Sequence, residues 1–455
     1  MRFPVFFFLY LNVVLTAAPV FDWARSGGGA KADKVRGLNV DRDGNVFIAG
    51  ECTDEVCFGS ETHKGLGLND VFVAKLDARG KCLWSKVAGG PKVDRAYAVA
   101  TDAQGNSYVT GHFQGESAEF DGHVVRGLGD YDAFVVSYDK DGKFRWVRSL
   151  GGKGYDYGHG VVIDSRGDVI VAGAVVGEAT FGDLVVPNEA GRHLFVAKYH
   201  ADGALVWVKV ATGKVSGSAH GVVVDGRDNI YIGGLCAGVG AFGTQSLSSP
   251  KGTSALVAKL DPEGQVLWLN LHPGEPSCLF HEISCDAQGR VWASGMFKGK
   301  AVVGADIYAT TTVKDSDALL CHYDAAGKLL WSRAGQGPGI DYGLGVANDG
   351  AGNAFLTGEF SAAFSLGGNS LRSRGATDVY VAKFDEKGAL VWLTQSGGIG
   401  SDSAYVDVMD RRGGLLIAGA YSGTQQLEHL SLTSKGSGDA YVARLVIDET
   451  PATSR

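Results

Sequence analysis

The sequence predicts an all-β fold, a seven-bladed β-propeller built from four-stranded antiparallel blades. A unit of about 61 residues recurs along the chain, and seven of its eight tryptophans mark the repeat, at positions 23, 84, 146, 207, 268, 331 and 392. Each unit also carries two patterns that are typical of β-hairpins, and no segment has sustained helical periodicity. Four-stranded units repeated in this way are characteristic of propellers, and the period overrides any estimate of domain number from length.

The two hairpins of a unit have the same plan, which is an apolar or alternating run, a D-x-x-G-like turn and a second run. One hairpin occurs as DVFVAKLDARGKCLW (70–84) and DAFVVSYDKDGKFRW (132–146), and the other as AYAVATDAQGNSYVTG (96–111). Asp at the first turn position accepts main-chain hydrogen bonds, and Gly supplies the positive φ that closes the turn. Two hairpins give four strands per unit, which we number first to fourth from the start of the unit.

The two ends of the chain are predicted to complete one blade together. The last unit stops before a tryptophan-bearing fourth strand, whereas FDWARSGGG (21–29) matches KCLWSKVAGG (81–90). We expect the N-terminal strand to finish the seventh blade and close the ring, because free sheet edges are a liability. The propeller is therefore predicted at residues 19–446, with a short tail at 447–455. A closed ring exposes no obligatory edge, so we expect a monomer.

The first residues predict export. Arg2 precedes an apolar stretch at 3–16 and the small residues Ala17 and Ala18, which is the layout of a signal peptide at 1–18. No other apolar stretch is long enough to span a membrane. We expect a secreted protein that is extracellular, periplasmic or held at the cell surface.

Charge and cysteine content exclude several classes of function. The formal net charge of −8 argues against a nucleic-acid binder, which needs a basic face. Seven scattered cysteines do not form a disulfide framework, although Cys52 and Cys57 are close enough in sequence to bridge locally.

The units resemble the SBBP-type β-propeller repeat of secreted and surface bacterial proteins. The stretch GGKGYDYGHGVVIDSRGDVIVAG (151–173) carries the motif of GG, an Asp-Tyr pair and a V-D-x-x-G-N-like hairpin. The segment at 351–392 also carries the second hairpin motif. The resemblance covers nearly the whole chain after residue 18, and it implies a propeller of about seven blades and an exported location. It implies no activity, because a fold does not fix a function.

The connection between the second and third strands is the predicted binding region. It runs for about 20 residues in each unit, as at 112–131, and its sequence differs between units except for one recurring apolar position. Long variable loops on a rigid scaffold commonly carry binding sites.

Three histidines form the first candidate site. His159, His220 and His281 are 61 residues apart and start the first strand of three consecutive units. Imidazoles that converge beside a channel can bind a divalent metal such as zinc. The structural alternative is that they bond to the main chain between blades.

Aspartates three residues earlier form the second candidate site, with Asp94 and Asp156 as its proposed binding residues at the channel mouth. The same place holds aspartate in three other units, at Asp33, Asp341 and Asp402. Carboxylates grouped near a channel bind calcium or act on sugars. The structural alternative is that each one accepts main-chain N–H bonds in its loop.

These patterns favour an exported binding or scaffold propeller that holds a protein or carbohydrate partner on its long-loop face, without catalysis and without a cofactor. Two alternatives stay open. One is a secreted carbohydrate-active enzyme, a lyase or glycosidase, and the other is a propeller that binds a divalent metal such as zinc or calcium at the channel mouth.

Overall fold

The computed structural model describes residues 19–59, 61–187 and 191–447, and these residues form strands and turns but no helix. The all-β prediction is confirmed. The predicted signal peptide at 1–18 and residues 448–455 of the predicted tail lie outside the described residues. Because the described part of the chain has no helix, it contains no long apolar helix of the kind that crosses a bilayer.

The described residues form 38 strands. The strands up to the middle of the chain are β1 (Val20–Gly27), β2 (Lys34–Val40), β3 (Val46–Cys52), β4 (Glu55–Phe58), β5 (Glu61–Lys64), β6 (Asp70–Leu76), β7 (Cys82–Ala88), β8 (Arg95–Thr101), β9 (Ser107–Gln114), β10 (Ser117–Phe120), β11 (His123–Arg126), β12 (Tyr131–Tyr138), β13 (Phe144–Gly152), β14 (Tyr157–Ile163), β15 (Val169–Val176), β16 (Ala179–Phe181), β17 (Leu184–Val186), β18 (Arg192–Tyr199), β19 (Leu205–Val210), β20 (Thr212–Val224) and β21 (Ile230–Phe242). The remaining strands are β22 (Gln245–Leu260), β23 (Val266–Cys285), β24 (Val291–Val303), β25 (Asp306–Ala309), β26 (Ser316–Tyr323), β27 (Leu329–Gly335), β28 (Asp341–Asn348), β29 (Ala354–Phe360), β30 (Ala363–Leu366), β31 (Asn369–Arg372), β32 (Asp378–Phe384), β33 (Leu390–Ser396), β34 (Asp402–Met409), β35 (Gly414–Tyr421), β36 (Thr424–Leu427), β37 (Leu430–Thr433) and β38 (Asp439–Val446).

The units fold as four-stranded antiparallel sheets whose strands follow one another in chain order, as in β2-β3-β6-β7 and β28-β29-β32-β33. One sheet joins the two ends of the described chain, with the order β1-β38-β35-β34. In its register Val20 lies opposite Val446, and Trp23 lies opposite Arg444. The N-terminal strand therefore pairs with the strand that begins at Asp439, as the sequence predicts.

The long connections are not open loops but short hairpins, such as β10–β11 and β30–β31. The hairpins pack against the preceding unit: β16 pairs with β13, with Leu150 opposite Phe181. The recurring phenylalanines of these hairpins are buried, as Phe120 and Phe364 illustrate. Much of each connection therefore belongs to the core, which leaves the hairpin tips as its variable surface.

Two unit junctions depart from the separate sheets that the repeat predicts. Strand β23 runs without a break from Val266 to Cys285, so the sheets of two consecutive units join. This junction has Cys278 in place of the usual aspartate, and its residues 274–278 pair with Phe297–Ala301 of β24. Gly217 replaces the aspartate one unit earlier, where β20 likewise stays extended. Without a carboxylate to hold the turn, the chain satisfies its main-chain groups by pairing with the next strand.

The tryptophans hold neighbouring units together. The indole N–H groups of Trp146 and Trp331 donate hydrogen bonds to carbonyl oxygens of the next unit's turn, at Ala201 (2.9 Å) and Glu386 (3.0 Å). This contact places the apolar ring at the unit boundary while its polar N–H is satisfied.

The first strands of the units surround one cavity. We call these the inner strands, namely β2, β8, β14, β20, residues 278–285 of β23, β28 and β34. They contact one another in chain order, and β34 contacts β2. The cavity has a volume of about 260 Å³, and residues from each of these strands line it.

Candidate functional site

A β-bulge occurs at the same point of all seven inner strands. In β14 the register shifts between Gly158 and Gly160, so His159 between them has no partner in β15. A bulge re-aims the side chain of the extra residue. We call the bulged residues the mouth ring: Arg36, Tyr97, His159, His220, His281, Leu344 and Tyr405. The three histidines found in the sequence are all members of it.

Side chains of the mouth ring stack on one another along the ring. The guanidinium of Arg36 lies 5.6 Å from the ring centre of Tyr97 and 5.4 Å from that of Tyr405. Tyr97 stacks on His159 with ring centres 4.2 Å apart. His159 then stacks on His220 at 4.7 Å, and His220 on His281 at 6.0 Å. The structure thus brings the predicted histidines together, but as a stack.

The stack differs from the geometry of a metal centre. The ring planes of His159 and His220 are inclined by 29°, and those of His220 and His281 by 20°, so the rings are stacked face to face. Metal ligation requires ring nitrogens that point at one centre. Nδ1 of His220 also lies 3.0 Å from the carbonyl oxygen of Phe280, to which it donates. Among the residues that the structure describes, no three His, Cys, Asp or Glu side chains are grouped to hold a metal ion.

Burial keeps these imidazoles uncharged near neutral pH. Burial lowers the pKa of His220 to about 4, and the charge of Arg192 adds to the effect. Burial lowers the pKa of His281 to about 3, and the charge of His220 adds to the effect. The pKa of His159 is lowered well below its usual range, first by burial and then by the charge of His220. Neutral imidazoles offer flat, polar-edged faces for stacking rather than positive charge.

The predicted carboxylates face the main chain. Asp94 accepts the N–H groups of Gly90 (2.5 Å) and Gln114 (2.9 Å), and Asp156 accepts those of Gly152 and Val176, both at 2.6 Å. Both side chains are fully buried, and burial raises the pKa of each to about 6. The oxygens of Asp94 and Asp156 are therefore occupied in joining the incoming turn to the end of the second strand.

Equivalent aspartates are held in a related way. Asp33 accepts the N–H groups of Gly29 and Thr53, and Asp402 accepts that of Gly398. Burial raises the pKa of both to about 7, and it raises the pKa of Asp341 to about 8.

Glu51 is the centre of a charged network behind the mouth ring. It lies 2.7 Å from the guanidinium of Arg36, contacts Arg95, and is 4.0 Å from Nζ of Lys34. Burial alone would raise the pKa of Glu51, but the charges of Arg36 and Arg95 lower it. Three cations around one carboxylate leave net positive charge at this side of the ring.

Buried and partly buried tyrosines and the exposed Arg192 continue this surface. The guanidinium of Arg192 lies 5.9 Å from the ring centre of Tyr155 and 5.5 Å from that of Tyr157. Tyr155 in turn is 4.2 Å from Tyr131, ring centre to ring centre. Together with the mouth ring, these residues form an aromatic and cationic surface on an acidic protein.

Two cavity residues escaped the sequence analysis. Glu282 and Asp407 line the cavity beside the mouth ring. Asp407 occupies the place that holds an apolar residue in every other unit, and Glu282 occupies a place that otherwise holds Gly, Ala or Val. Both residues can be recognised because their type differs from that at the equivalent position of the other units. The predicted site residues, in contrast, lie at positions where several units agree.

Cys52 is a buried, free thiol, so the local bridge left open by the sequence is not formed.

Comparisons with known proteins assign no family to this chain. No family model matches the chain, so the resemblance to the SBBP repeat stays a prediction. An uncharacterised WD repeat-containing protein, L264 of Acanthamoeba polyphaga mimivirus, is 24% identical in an alignment of 226 residues. The alignment covers 42% of this chain and 16% of that protein. The chain thus spans only a small part of this relative.

Similar solved structures include WD40 and enzyme structures. The WD40 domain of Neurospora crassa Pan2 is 10% identical and matches 96% of this chain and 99% of its own, with a TM-score of 0.41. An ulvan lyase of polysaccharide lyase family PL25 is 9% identical over 92% of this chain and 96% of its own, with a TM-score of 0.43. A puromycin hydrolase is 12% identical over 87% and 59%, with a TM-score of 0.37.

Proposed function

We propose that this protein is an exported, monomeric binding protein that forms a closed seven-bladed propeller and holds an acidic carbohydrate chain at its mouth ring. The observation that carries the proposal is the mouth ring itself. One bulged position has the same backbone in all seven units, yet its side chain changes from arginine to tyrosine, histidine or leucine. A constant scaffold with varied side chains is the arrangement that recognition uses.

Seven blades and ring closure are inferred from contacts between units. The inner strands contact one another in sequence and return from β34 to β2. A Cβ placed on Gly80 would be 2.9 Å from the ring of Trp23, and one on Gly142 would be 2.8 Å from that of Trp84. The last sheet therefore meets the first unit through the same kind of contact that joins consecutive units.

Carbohydrate is favoured as the ligand by the chemistry of the surface. Tyrosine and imidazole faces pack against the C–H faces of sugars, and guanidinium groups pair with carboxylate or sulfate groups. Arg192 is exposed and lies over Tyr155 and Tyr157, which places an exposed cation beside aromatic rings. The hairpin tips around this surface differ between units and supply the specificity.

Export is proposed from the sequence of residues 1–18, with one basic residue, an apolar stretch and two alanines. N-terminal sequencing of the protein released from expressing cells tests it, since an intact residue 1 in the released protein contradicts cleavage.

Binding of the purified protein to a glycan array compares its affinity for acidic oligosaccharides with that for matched neutral ones. We expect selective, salt-sensitive binding of acidic chains, weakened at least about tenfold by Arg192→Ala. Arg227→Ala is the matched control, because Arg227 is exposed in the turn between β20 and β21, at the other end of the inner strand from His220. Equal binding of neutral chains, or an equal loss in both variants, contradicts the proposal. A parallel assay for sugar release gives the alternative, because product formation identifies an enzyme.

A further inference from the structure

The cavity between the inner strands has an apolar wall and a small acidic region. Six of the seven inner strands present an aliphatic side chain at one level, namely Leu38, Val99, Val161, Val222, Ile283 and Val346. The seventh strand presents Asp407 at that level, and Glu282 stands next to Ile283.

Asp407 is buried without a hydrogen-bond partner. The residue is 6% exposed, and neither carboxylate oxygen has a partner among the described residues. Glu282 has Oε1 3.0 Å from the main-chain N–H of Ile283, which donates to it. An unpartnered buried carboxylate is costly, so its retention at an apolar position points to a ligand that satisfies it.

Glycines of the neighbouring units provide the room for these two carboxylates. A Cβ placed on Gly345 would be 2.6 Å from Oδ1 of Asp407, and one placed on Gly221 would be 2.7 Å from Oε1 of Glu282. Both carboxylates therefore lie across an adjacent inner strand, within the cavity wall.

The two groups line the same cavity, and the charge of Glu282 acts on Asp407. Burial raises the pKa of Glu282 to about 7, and burial together with the charge of Glu282 raises the pKa of Asp407 well above its usual range. A positive group between them would favour ionisation of both.

We propose that the cavity binds a primary alkylammonium group, with the ammonium held by Asp407 and Glu282 and its methylenes packed on the aliphatic wall. The three N–H donors of an ammonium suit two carboxylates. A hard divalent cation fits less well, because it needs about six oxygen ligands and most of the wall offers none. The source is either a free aliphatic amine or a lysine side chain of a partner.

A path from solvent exists at the turn end of the inner strands. A second cavity of about 560 Å³ shares Asn39, Val162, Val408 and Met409 with the first and is lined by the turns that follow β2, β8 and β14. These turns lie at the other end of the inner strands from the mouth ring, and the inference rests on Asp407 and Glu282 rather than on the residues proposed to hold carbohydrate.

Titration calorimetry of the full-length purified protein tests the site with three probes near neutral pH: n-butylamine, 1,4-diaminobutane and N-acetyl-lysine-methylamide. We expect an amine to bind and 1-butanol, its uncharged analogue, not to bind. Tighter binding of the capped lysine identifies a peptide source, and tighter binding of the diamine identifies a free amine.

Two variants assign the binding to the carboxylates. We expect Asp407→Val and Glu282→Gln each to weaken amine binding at least about tenfold, and Arg126→Ala, at an exposed position of β11 outside the cavity lining, to leave it unchanged. Asp407→Val restores the residue type of the other units, so it should remain folded, which its thermal midpoint checks. Absence of amine binding in the folded wild type, equal binding of 1-butanol, unchanged binding in Asp407→Val, or Asp407-dependent binding of calcium chloride in place of amines each overturns the proposal.

Discussion

The indole of Trp23, near the start of the described chain, lies against Gly80 in the turn between β6 and β7. A Cβ built on Gly80 would stand 2.9 Å from two atoms of the Trp23 ring. The backbone of Gly80 has φ +77°, which L-residues rarely adopt, so the contact and the conformation both require glycine here.

Gly80→Ala therefore lowers stability for two reasons, strain at positive φ and a clash with Trp23. Gly413→Ala is the matched control, because Gly413 has φ +76° and nothing within 4 Å of a built Cβ. We expect the control to lose about 1 kcal/mol and Gly80→Ala to lose about 1–3 kcal/mol more, measured by urea unfolding. Equal losses would mean that the Trp23 ring does not pack tightly against Gly80.

The raised pKa of Asp94 predicts that replacing this residue lowers the free energy of unfolding by an amount that depends on pH. Burial raises the pKa of Asp94 to about 6 in the folded protein, from its ordinary value of 3.8. A raised folded-state pKa contributes stability that is full below the unfolded pKa and is lost as pH rises through the folded pKa. Replacing Asp94 by Asn removes this contribution.

The destabilisation of Asp94→Asn should therefore be larger at about pH 4.5 than at about pH 7.5, by something of the order of 1 kcal/mol. Chemical unfolding at both pH values measures it. Asp130→Asn is the control, since Asp130 is exposed in a loop of the same unit. A penalty that grows with pH would show that the carboxylate of Asp94 is stabilised in its charged form.

His220→Ala distinguishes a stacked histidine cluster from a metal site. The rings of His159, His220 and His281 are stacked face to face, and Nδ1 of His220 already donates a hydrogen bond to the carbonyl oxygen of Phe280. We expect elemental analysis to find the same metal content in wild type and variant. Stoichiometric zinc that disappears in His220→Ala would instead establish the metal-binding alternative.

Asp407→Val should stabilise the fold. The substitution removes a 6%-exposed, unpartnered carboxylate and restores the aliphatic residue found at this level elsewhere. We expect a gain of about 1–3 kcal/mol in the free energy of unfolding, measured by urea titration without added amine. The reciprocal change Val161→Asp should lose stability. A loss in Asp407→Val would show that the carboxylate has a stabilising partner.

The repeat made strand order and turns accessible to sequence reasoning. Turn aspartates such as Asp41 and Asp102 accept main-chain N–H groups two and four residues ahead, as their position before the turn glycine predicts. The pairing of β1 with β38 also follows from a match between short segments at the two ends. Local chemistry and internal similarity suffice for such features, because each turn closes on its own residues.

The directions in which side chains point could not be predicted from the sequence in the same way. The sequence placed His159, His220 and His281 at one level of the repeat, but a β-bulge at that level turns them into a stack. Asp94 belongs to the same region, yet its oxygens are taken by main-chain donors that only the folded connection brings near.

The amino-acid sequence by itself thus determined an all-β chain of repeating hairpins with the N-terminal strand paired to the last, because periodic apolar positions and turn residues act over short distances. Tertiary structure alone decided which polar groups remain without partners. Asp407 and Glu282 are 125 residues apart, and they line the same cavity only because the inner strands come together around it. Such proximity depends on the assembly of several units, which no single unit encodes.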